Sequence, residues 1–300
     1  MSITVVGSVA LDTVETPAGK NTEGLGGAAV YFSLAAQHFA PVHLVGVIGE
    51  DFPDQHVRML GAKNINLAGL ERAPGRTFRW TGRYHEDVNE RDTLDTQLNV
   101  FEHFHPKVPE AARKAPFLFL GNIHPSLQME VLEQTSHRFV ALDTMNLWIN
   151  ITPDDLRDVL KRVDAVVLND QEARLLTGEV NLRDAAHKIR GMGPHIIAIK
   201  KGEHGGMLFC EADDEIFAIP ALPLKKVVDP TGAGDTFAGG FMGYLATQEK
   251  TDFMTLKRGV VYGSVMASYT CEAFGPDKLI DLTADQIQQR YLEFKKLMEF

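Results

Sequence analysis

The sequence predicts an α/β fold with a doubly wound, largely parallel sheet and helices on both faces, and two observations carry that expectation. Short, continuously apolar, β-rich runs alternate along the chain with longer stretches of helical pattern, and such runs suit strands covered on both faces. Two polar, extended stretches break the alternation and predict a small β flap attached beside the sheet.

Taken in order, strands are expected over 3–9, 42–48, 117–120, 139–142, 165–168 and 196–199, each rich in Val, Ile, Leu, Phe and Ala. Helices are expected over 28–39, 127–136, 153–159, 171–176, 182–190, 235–246 and 256–270. In the helix at 235–246, Phe237, Phe241 and Tyr244 recur at helical spacing, as do Gly239 and Gly243, so it is expected to pack closely on the sheet with its aromatic residues in the core. The flap, or lid, is expected over 11–25 and 76–105, where Thr77 to Tyr84 alternate as an extended strand would. A lid at the ligand edge could exclude water from a reaction or pair with a second copy through its edge strands as a homodimer. No repeat, low-complexity tract or Ser/Gly linker divides the chain, so residues 1–300 are expected to form one domain with the lid inside it.

Composition narrows the partners. The 300 residues are 44% hydrophobic and 23% charged, enough for a substantial core. Thirty Lys and Arg against 40 Asp and Glu leave a formal charge of −10, which argues against an extended basic footprint for nucleic acid or an anionic membrane and points to a small-molecule partner. Cys210 and Cys271 offer neither a disulfide framework nor a paired-cysteine metal motif, so the expected location is cytoplasmic. The N-terminus lacks a basic segment followed by a long apolar run, and no stretch approaches the ~18 apolar residues of a membrane span. The 11 histidines show no His-Glu-x-x-His spacing and are expected on the surface or in the core.

The most informative segment is Asp229-Pro-Thr-Gly-Ala-Gly-Asp235-Thr-Phe-Ala-Gly-Gly-Phe241, where a glycine-rich turn runs into an apolar helix. Gly232, Ala233 and Gly234 carry little or no side chain, so an anion could approach their N–H groups and the positive end of the helix. Asp235 follows at once and could accept the proton of an alcohol attacking a terminal phosphate held over the turn. Helix capping by Asp235 or Thr231 accounts for so short a motif about equally well, so the remaining features must decide.

Gly24 to Ala29 satisfies the Gly-x-Gly-x-x-Ala dinucleotide pattern, but the polar stretch 10–23 separates it from the first strand and would misplace the phosphate turn. A P-loop fails too, since Gly19-Lys20 is followed by Asn21 and Val14 stands where the earlier glycine is needed. Asp12 follows the first strand at the carboxyl edge, where its carboxylate could accept two hydroxyl hydrogen bonds or form an Asx turn. Asn169 and Glu172 follow the strand 165–168 and share one face of a first helical turn, where they could hold metal-bound water and a phosphate oxygen, form a capping box, or do both. The turn from Lys200 to Gly206 is flexible and locally basic, suited to bordering a nucleotide or to linking a hairpin into 207–210.

Together the 229–237 motif, Gly26-Gly27, Gly49-Glu-Asp-Phe52 and Asn169-x-x-Glu172 resemble the ribokinase-like, or PfkB, family of carbohydrate and nucleoside kinases, in family order across most of the chain. The resemblance implies a Rossmann-like α/β sandwich with a β lid, and ATP and Mg2+ as cofactors. It makes Asp235 the catalytic base and Gly232, Ala233 and Gly234 the anion hole. It assigns Asn169 and Glu172 to the phosphate and magnesium region, with Glu172 reaching the metal through water. Asp12, Gly26 and Gly27 fall to the phosphate acceptor, and Lys201, Gly202 and Gly205 to the ATP border. Asp229 and Thr231 match positions that supply oxygen ligands to a monovalent cation, completed by a loop such as 271–275, so potassium dependence is compatible. The chain departs from the family pattern at Tyr31, where an asparagine is usual, and Asn146 is the candidate for a substituting polar contact. The implied activity is transfer of the ATP γ-phosphate to a primary hydroxyl, with a sugar as first expectation and a nucleoside as the alternative; a non-catalytic nucleotide- or sugar-binding module is the remaining class.

Overall fold

The computed structural model describes residues 1–210 and 215–299. Its main sheet has nine strands in the order β13-β12-β11-β10-β9-β8-β1-β4-β5. The strands are β1 (Ile3–Val6), β4 (Val42–Ile48), β5 (Ile65–Arg72), β8 (Phe117–Leu120), β9 (Phe139–Asp143), β10 (Ala165–Asn169), β11 (Ile196–Lys200), β12 (Gly206–Phe209) and β13 (Ile216–Ile219). From β5 to β11 every neighbouring pair is parallel, while β12 and β13 close the far edge as antiparallel strands. The order turns back between β8 and β1, and open α/β sheets bind ligands beyond the carboxyl ends of the strands at such a point.

Strand alternation distributes the apolar runs between two cores. Ile3, Val5, Phe117 and Phe119 face one core together with the helices Ala28–Ala36, Ala233–Ala246 and Phe253–Thr270. Val6, Leu118, Leu120, Val140 and Leu142 face the other, under the helices Pro125–Gln134 and Pro153–Leu160. The two inward sets interleave along each strand, which is why a central strand reads as an unbroken apolar run. By contrast β5 carries Asn66, Glu71 and Arg72, and beyond the buried Ile65 its positions are half-buried or exposed, so the apolar-run criterion passes over it. The helices Asp54–Gly61 and Ala284–Leu297, likewise absent from the sequence expectation, are amphipathic and mostly polar.

Gly239 and Gly243 pack on a helix, whereas the sequence expectation was the sheet. A Cβ at Gly239 would lie 2.4 Å from the carbonyl oxygen of Phe32, and one at Gly243 3.1 Å from the Cα of Ala36. On the opposite side Gly240 meets Gly263 of Phe253–Thr270, where a Cβ would lie 3.0 Å from the Gly263 Cα. The three helices therefore stack at near-backbone contact and fix where Ala233–Ala246 begins. Phe237 and Phe241 are buried, whereas Tyr244 is half-buried in a ring stack with Tyr262, which in turn stacks on Tyr291.

The lid is a four-stranded sheet in the order β3-β2-β6-β7, built from β2 (Ala10–Thr16), β3 (Gly19–Gly26), β6 (Phe78–Tyr84) and β7 (Arg91–Gln97). The first strand thus ends at Val6, and the chain enters the lid at Ala10, earlier than the apolar run 3–9 suggests. The Gly49-Glu-Asp-Phe52 segment anchors the lid. Asp51 accepts hydrogen bonds from the backbone N–H and hydroxyl of Thr77 and pairs with Arg79 at 2.8 Å. No Cβ fits at Gly49, because it would come within 2.4 Å of the Gly75 carbonyl oxygen. No helix among the described residues is long and apolar enough to cross a membrane.

Candidate active site

The helix Ala233–Ala246 starts two residues before the expected position 235, which puts Asp235 inside its first turn. Its N-cap is Gly232 at φ 76°, a left-handed conformation that favours glycine, and no side chain caps the helix. The turn folds the Ala233 N–H back onto the Pro230 carbonyl at 3.1 Å, so Ala233 does not offer the free amide that the sequence suggested. The N–H groups of Gly234 and Asp235 have no backbone acceptor among the described residues, and with the helix dipole they form the anion-attracting end. A Cβ at Gly232 would sit 2.4 Å from three ring atoms of Tyr31, so the departure at Tyr31 is a packing partner of the turn: the fully buried ring covers the glycine.

Around this turn the structure gathers carboxylates from the lid strand β2 (Asp12), the end of β9 (Asp143) and the first turns of two helices (Glu172 and Asp235). Burial pushes Asp235 up to about 7, with Asp143 raising it further and Lys200 and Arg91 opposing. Asp12 is 7% exposed and burial likewise raises it to about 7, with the Gly27 N–H opposing and Asp229 and Asp235 adding to the rise. Gly26 is required beside it, since a Cβ there would meet the Asp12 Oδ2 at 1.9 Å. Gly27, at φ 97°, would drive a Cβ to 2.4 Å from the Ser8 carbonyl oxygen. The two glycines thus let the chain turn tightly around the acid and hold it.

On the other side of Asp235, Asn169 and Glu172 form the capping box: the Asn169 Oδ1 accepts from the Glu172 N–H, and the Glu172 Oε2 accepts from the Asn169 N–H, both at 2.7 Å. One carboxylate oxygen of Glu172 is engaged in this way, and burial raises the group to about 7 against the opposing charge of Lys200. Lys200 is register partner to Asn169 across β10 and β11. Its Nζ lies 2.8 Å from where a Gly234 Cβ would stand and 3.7 Å from the Asp143 Oδ1, with the side chain 19% exposed. Burial alone would lower its pKa, but Asp143, Glu172 and Asp235 outweigh that and hold the ammonium charged.

Lys200 and Asp143 are the functional candidates that sequence reasoning passed over in favour of Lys201 and Asn146. Lys201 is tied into the turn after β11, its N–H donating to the Gly205 carbonyl at 2.8 Å. Gly202 and Gly205, at φ 54° and 82°, shape that turn, which the lid tip covers: a Cβ at Gly202 would lie 2.1 Å from the Asn89 Oδ1. Asn146 is exposed at the start of the helix Asn146–Ile151, three residues past the buried Asp143. The available signal was positional: Asp143 and Lys200 end the parallel strands β9 and β11, whereas Asp12, expected just after the first strand, lies inside the lid strand β2, because β1 ends at Val6 and the chain has by then entered the lid.

Asp229 and Thr231 lie beneath the turn. The Asp229 carboxylate is 1% exposed, accepting from the Thr231 N–H at 2.9 Å and the Gly275 N–H at 3.2 Å. The Val228 N–H donates to the Cys271 carbonyl at 2.7 Å, so the loop 271–275 closes on the same place. The Thr231 hydroxyl lies 3.3 Å from that of Tyr84, a lid residue. Every predicted position except Asn146, Lys201, Gly202 and Gly205 therefore belongs to one cluster around Gly232–Asp235, and those last four border it or lie outside.

A buried carboxylate at a helix N-terminus, a neighbouring amide without a backbone acceptor, a lysine held among acids and a lid seated on the turn suit a phosphotransferase with an alcohol acceptor. Comparison with known proteins agrees. The chain belongs to the pfkB family of carbohydrate kinases, whose signature matches residues 2–281. It is 32% identical over 249 residues to the cytidine kinase of Thermococcus kodakarensis, covering 81% of this chain and 87% of that one. The Burkholderia thailandensis nucleoside kinase, solved with inosine, superposes with a TM-score of 0.79 at 18% identity, covering 97% of this chain and 98% of its own. A ribokinase II from E. coli, solved with ATP and Mg2+, superposes at 0.78 and 16% identity over 97% of this chain and 99% of its own. The protein is thus a sugar or nucleoside kinase of the ribokinase-like fold.

Proposed function

We propose that this enzyme transfers the γ-phosphoryl group of ATP to the primary hydroxyl of a nucleoside, with a pyrimidine nucleoside such as cytidine as first candidate. The observation that carries transfer is the convergence of Asp235, the Gly234 amide, which has no backbone acceptor among the described residues, and Lys200 at the helix start. The 32% identity to a cytidine kinase over most of both chains supports the nucleoside acceptor. A free sugar, the first expectation from sequence, is the second reading and rests on the family's description as carbohydrate kinases.

In the proposed step Asp235 takes the proton of the acceptor hydroxyl as its oxygen bonds to the γ-phosphorus. The bond from that phosphorus to the β–γ bridging oxygen breaks and ADP departs with the electron pair. Asp12 orients the acceptor through hydroxyl hydrogen bonds, the amides at the helix start hold the transferred group, and Lys200 steadies negative charge beside Gly234. The donor set suits Mg-ATP. Among the described residues no three His, Cys, Asp or Glu side chains are arranged to hold a metal, so magnesium would be held chiefly by phosphates and water beside Glu172. Bound there, it would neutralise triphosphate charge.

ADP release measured with Mg-ATP across cytidine, uridine, inosine, ribose and other sugars tests the proposal. A nucleoside is expected to give the highest kcat/KM; a sugar in first place would overturn the acceptor, and silence across the panel would overturn the reaction. A potassium ion is proposed at Asp229 and Thr231, because Asp229 is a buried carboxylate with no ion-pair partner among the described residues. Turnover is expected to be faster in potassium than in tetramethylammonium chloride, and equal rates would remove the ion from this account.

A further inference from the structure

The lid meets the site through Tyr84 and Arg91, which face each other across the β6–β7 pair. Tyr84 is buried with its hydroxyl on Thr231, one residue before the left-handed Gly232, so the lid is seated on the anion-binding turn itself. That seating carries Arg91, which is hydrogen-bonded to Tyr84, to the site. Its guanidinium lies 5.4 Å from the centroid of the Trp80 ring. Trp80 is held in turn, because it covers Gly82, where a Cβ would be 2.0 Å from the ring, and its indole N–H donates to Thr93 at 3.3 Å. The hairpin tip rests on the turn after β11 through Asn89 and Gly202, which fixes the start of β7.

Arg91 is in no ion pair among the described residues, yet its charge acts on Asp12, Asp235 and Glu172 at once. These three belong to the acceptor side, the base and the phosphate side of the cleft. The charges of Lys200, on the sheet, and Arg91, on the lid, both act on Asp235, and Lys200 pairs with Asp143 at 3.7 Å. A guanidinium outside any ion pair, hydrogen-bonded to the Tyr84 that sits on the turn and close enough for its charge to act on three carboxylates, is available to an anion entering the cleft, and its planar fork matches phosphate oxygens.

We infer that Arg91 is a catalytic residue, whose guanidinium contacts the phosphoryl group during transfer when the lid is seated. The inference rests on the phosphotransferase reading. The transferred group carries charge over its equatorial oxygens, and a cation supplied from the lid stabilises that charge in the transition state. Arg91 is itself exposed, so its removal leaves no cavity in the core.

The test uses the full chain with Mg-ATP and the best acceptor of the panel. Arg91→Ala is expected to lower kcat on the order of 10³-fold, with each KM changed far less and the melting temperature unchanged. Added guanidinium chloride at non-denaturing concentration is expected to restore part of the Arg91→Ala rate and none to the wild type, and Arg91→Lys to fall between them. A merely structural lid residue would not respond to free guanidinium. Wild-type kcat in Arg91→Ala, or a loss confined to KM with no rescue, would overturn the inference while leaving the kinase reading intact. A wild-type enzyme silent on every acceptor would overturn both.

Discussion

Asp235→Asn is expected to lower kcat by about 10²- to 10⁴-fold while making the ligand-free protein more stable. The loss follows from the missing proton acceptor, since asparagine keeps the shape and cannot take the proton. The gain follows from burial, which raises the Asp235 carboxyl from 3.8 to about 7. An acid whose folded pKa lies above its unfolded value favours the fold when protonated, and the fold loses that advantage as pH rises from about 4 through 7. The variant should therefore match the wild type in stability near pH 4 and exceed it increasingly on the way to pH 7, the gap widening by about 1.4 kcal/mol for each pH step of one across that window and levelling off above it. Thermal melts at several pH values check this. In the wild type, kcat/KM should fall below about pH 7 as Asp235 takes up its proton, and a flat profile from pH 5 to 8 would oppose its role as base. An Asp235→Asn protein that turns over normally would remove the mechanism.

Lys200→Met is expected to act in the opposite direction on stability and the same direction on activity. The ammonium lies among Asp143, Glu172 and Asp235, and each of those acids is already raised by burial. Removing the cation from such a cluster leaves charge without compensation, which costs about 3–5 kcal/mol for a buried pair. That cost should appear at pH 8, where the carboxylates are ionised, and shrink towards pH 5, where they accept protons instead. Activity should fall by at least the ~10²-fold typical of losing one donor to a developing oxyanion. Urea unfolding at the two pH values reads the first effect, and steady-state rates the second. Equal stability of variant and wild type at both pH values would show that the ammonium does not hold the cluster together. The opposite signs expected for Asp235→Asn and Lys200→Met set this electrostatic account apart from one based on packing, in which both substitutions would destabilise.

How much of this was legible in the sequence depends on how local each feature is. The central strands were readable because Ile3 to Val6, Phe117 to Leu120 and Ile196 to Ile199 are covered on both faces, and two-sided burial leaves an unbroken apolar run. The edge strand β5 and the amphipathic helix Ala284–Leu297 were not, since one-sided burial mixes polar residues into the pattern. The Gly232–Asp235 turn was readable for a third reason. Its left-handed glycine, its helix-start amides and its carboxylate are consecutive, so chain connectivity alone brings them together.

Convergence from distant segments was decided only in three dimensions. Lys200 and Lys201 are indistinguishable as neighbours in a basic turn, and the register of β11 against β10 puts the first beside Asn169 and leaves the second to close the turn. Asp143 and Asn146 differ in the same way, one ending a buried strand and the other starting an exposed helix turn. Tyr31 is a partner of Gly232 because glycine contacts draw the helices Ala28–Ala36 and Ala233–Ala246 together, and the charge of Arg91 acts on the site carboxylates through the seating of Tyr84 on Thr231. The sequence by itself determined the local parts, the fold class and the glycine-rich turn at Gly232–Asp235, because backbone conformation and hydrophobic period are properties of contiguous residues. The tertiary structure decided which charged side chains share the cleft, because Coulomb and packing energies depend on distances that strand register and helix docking set.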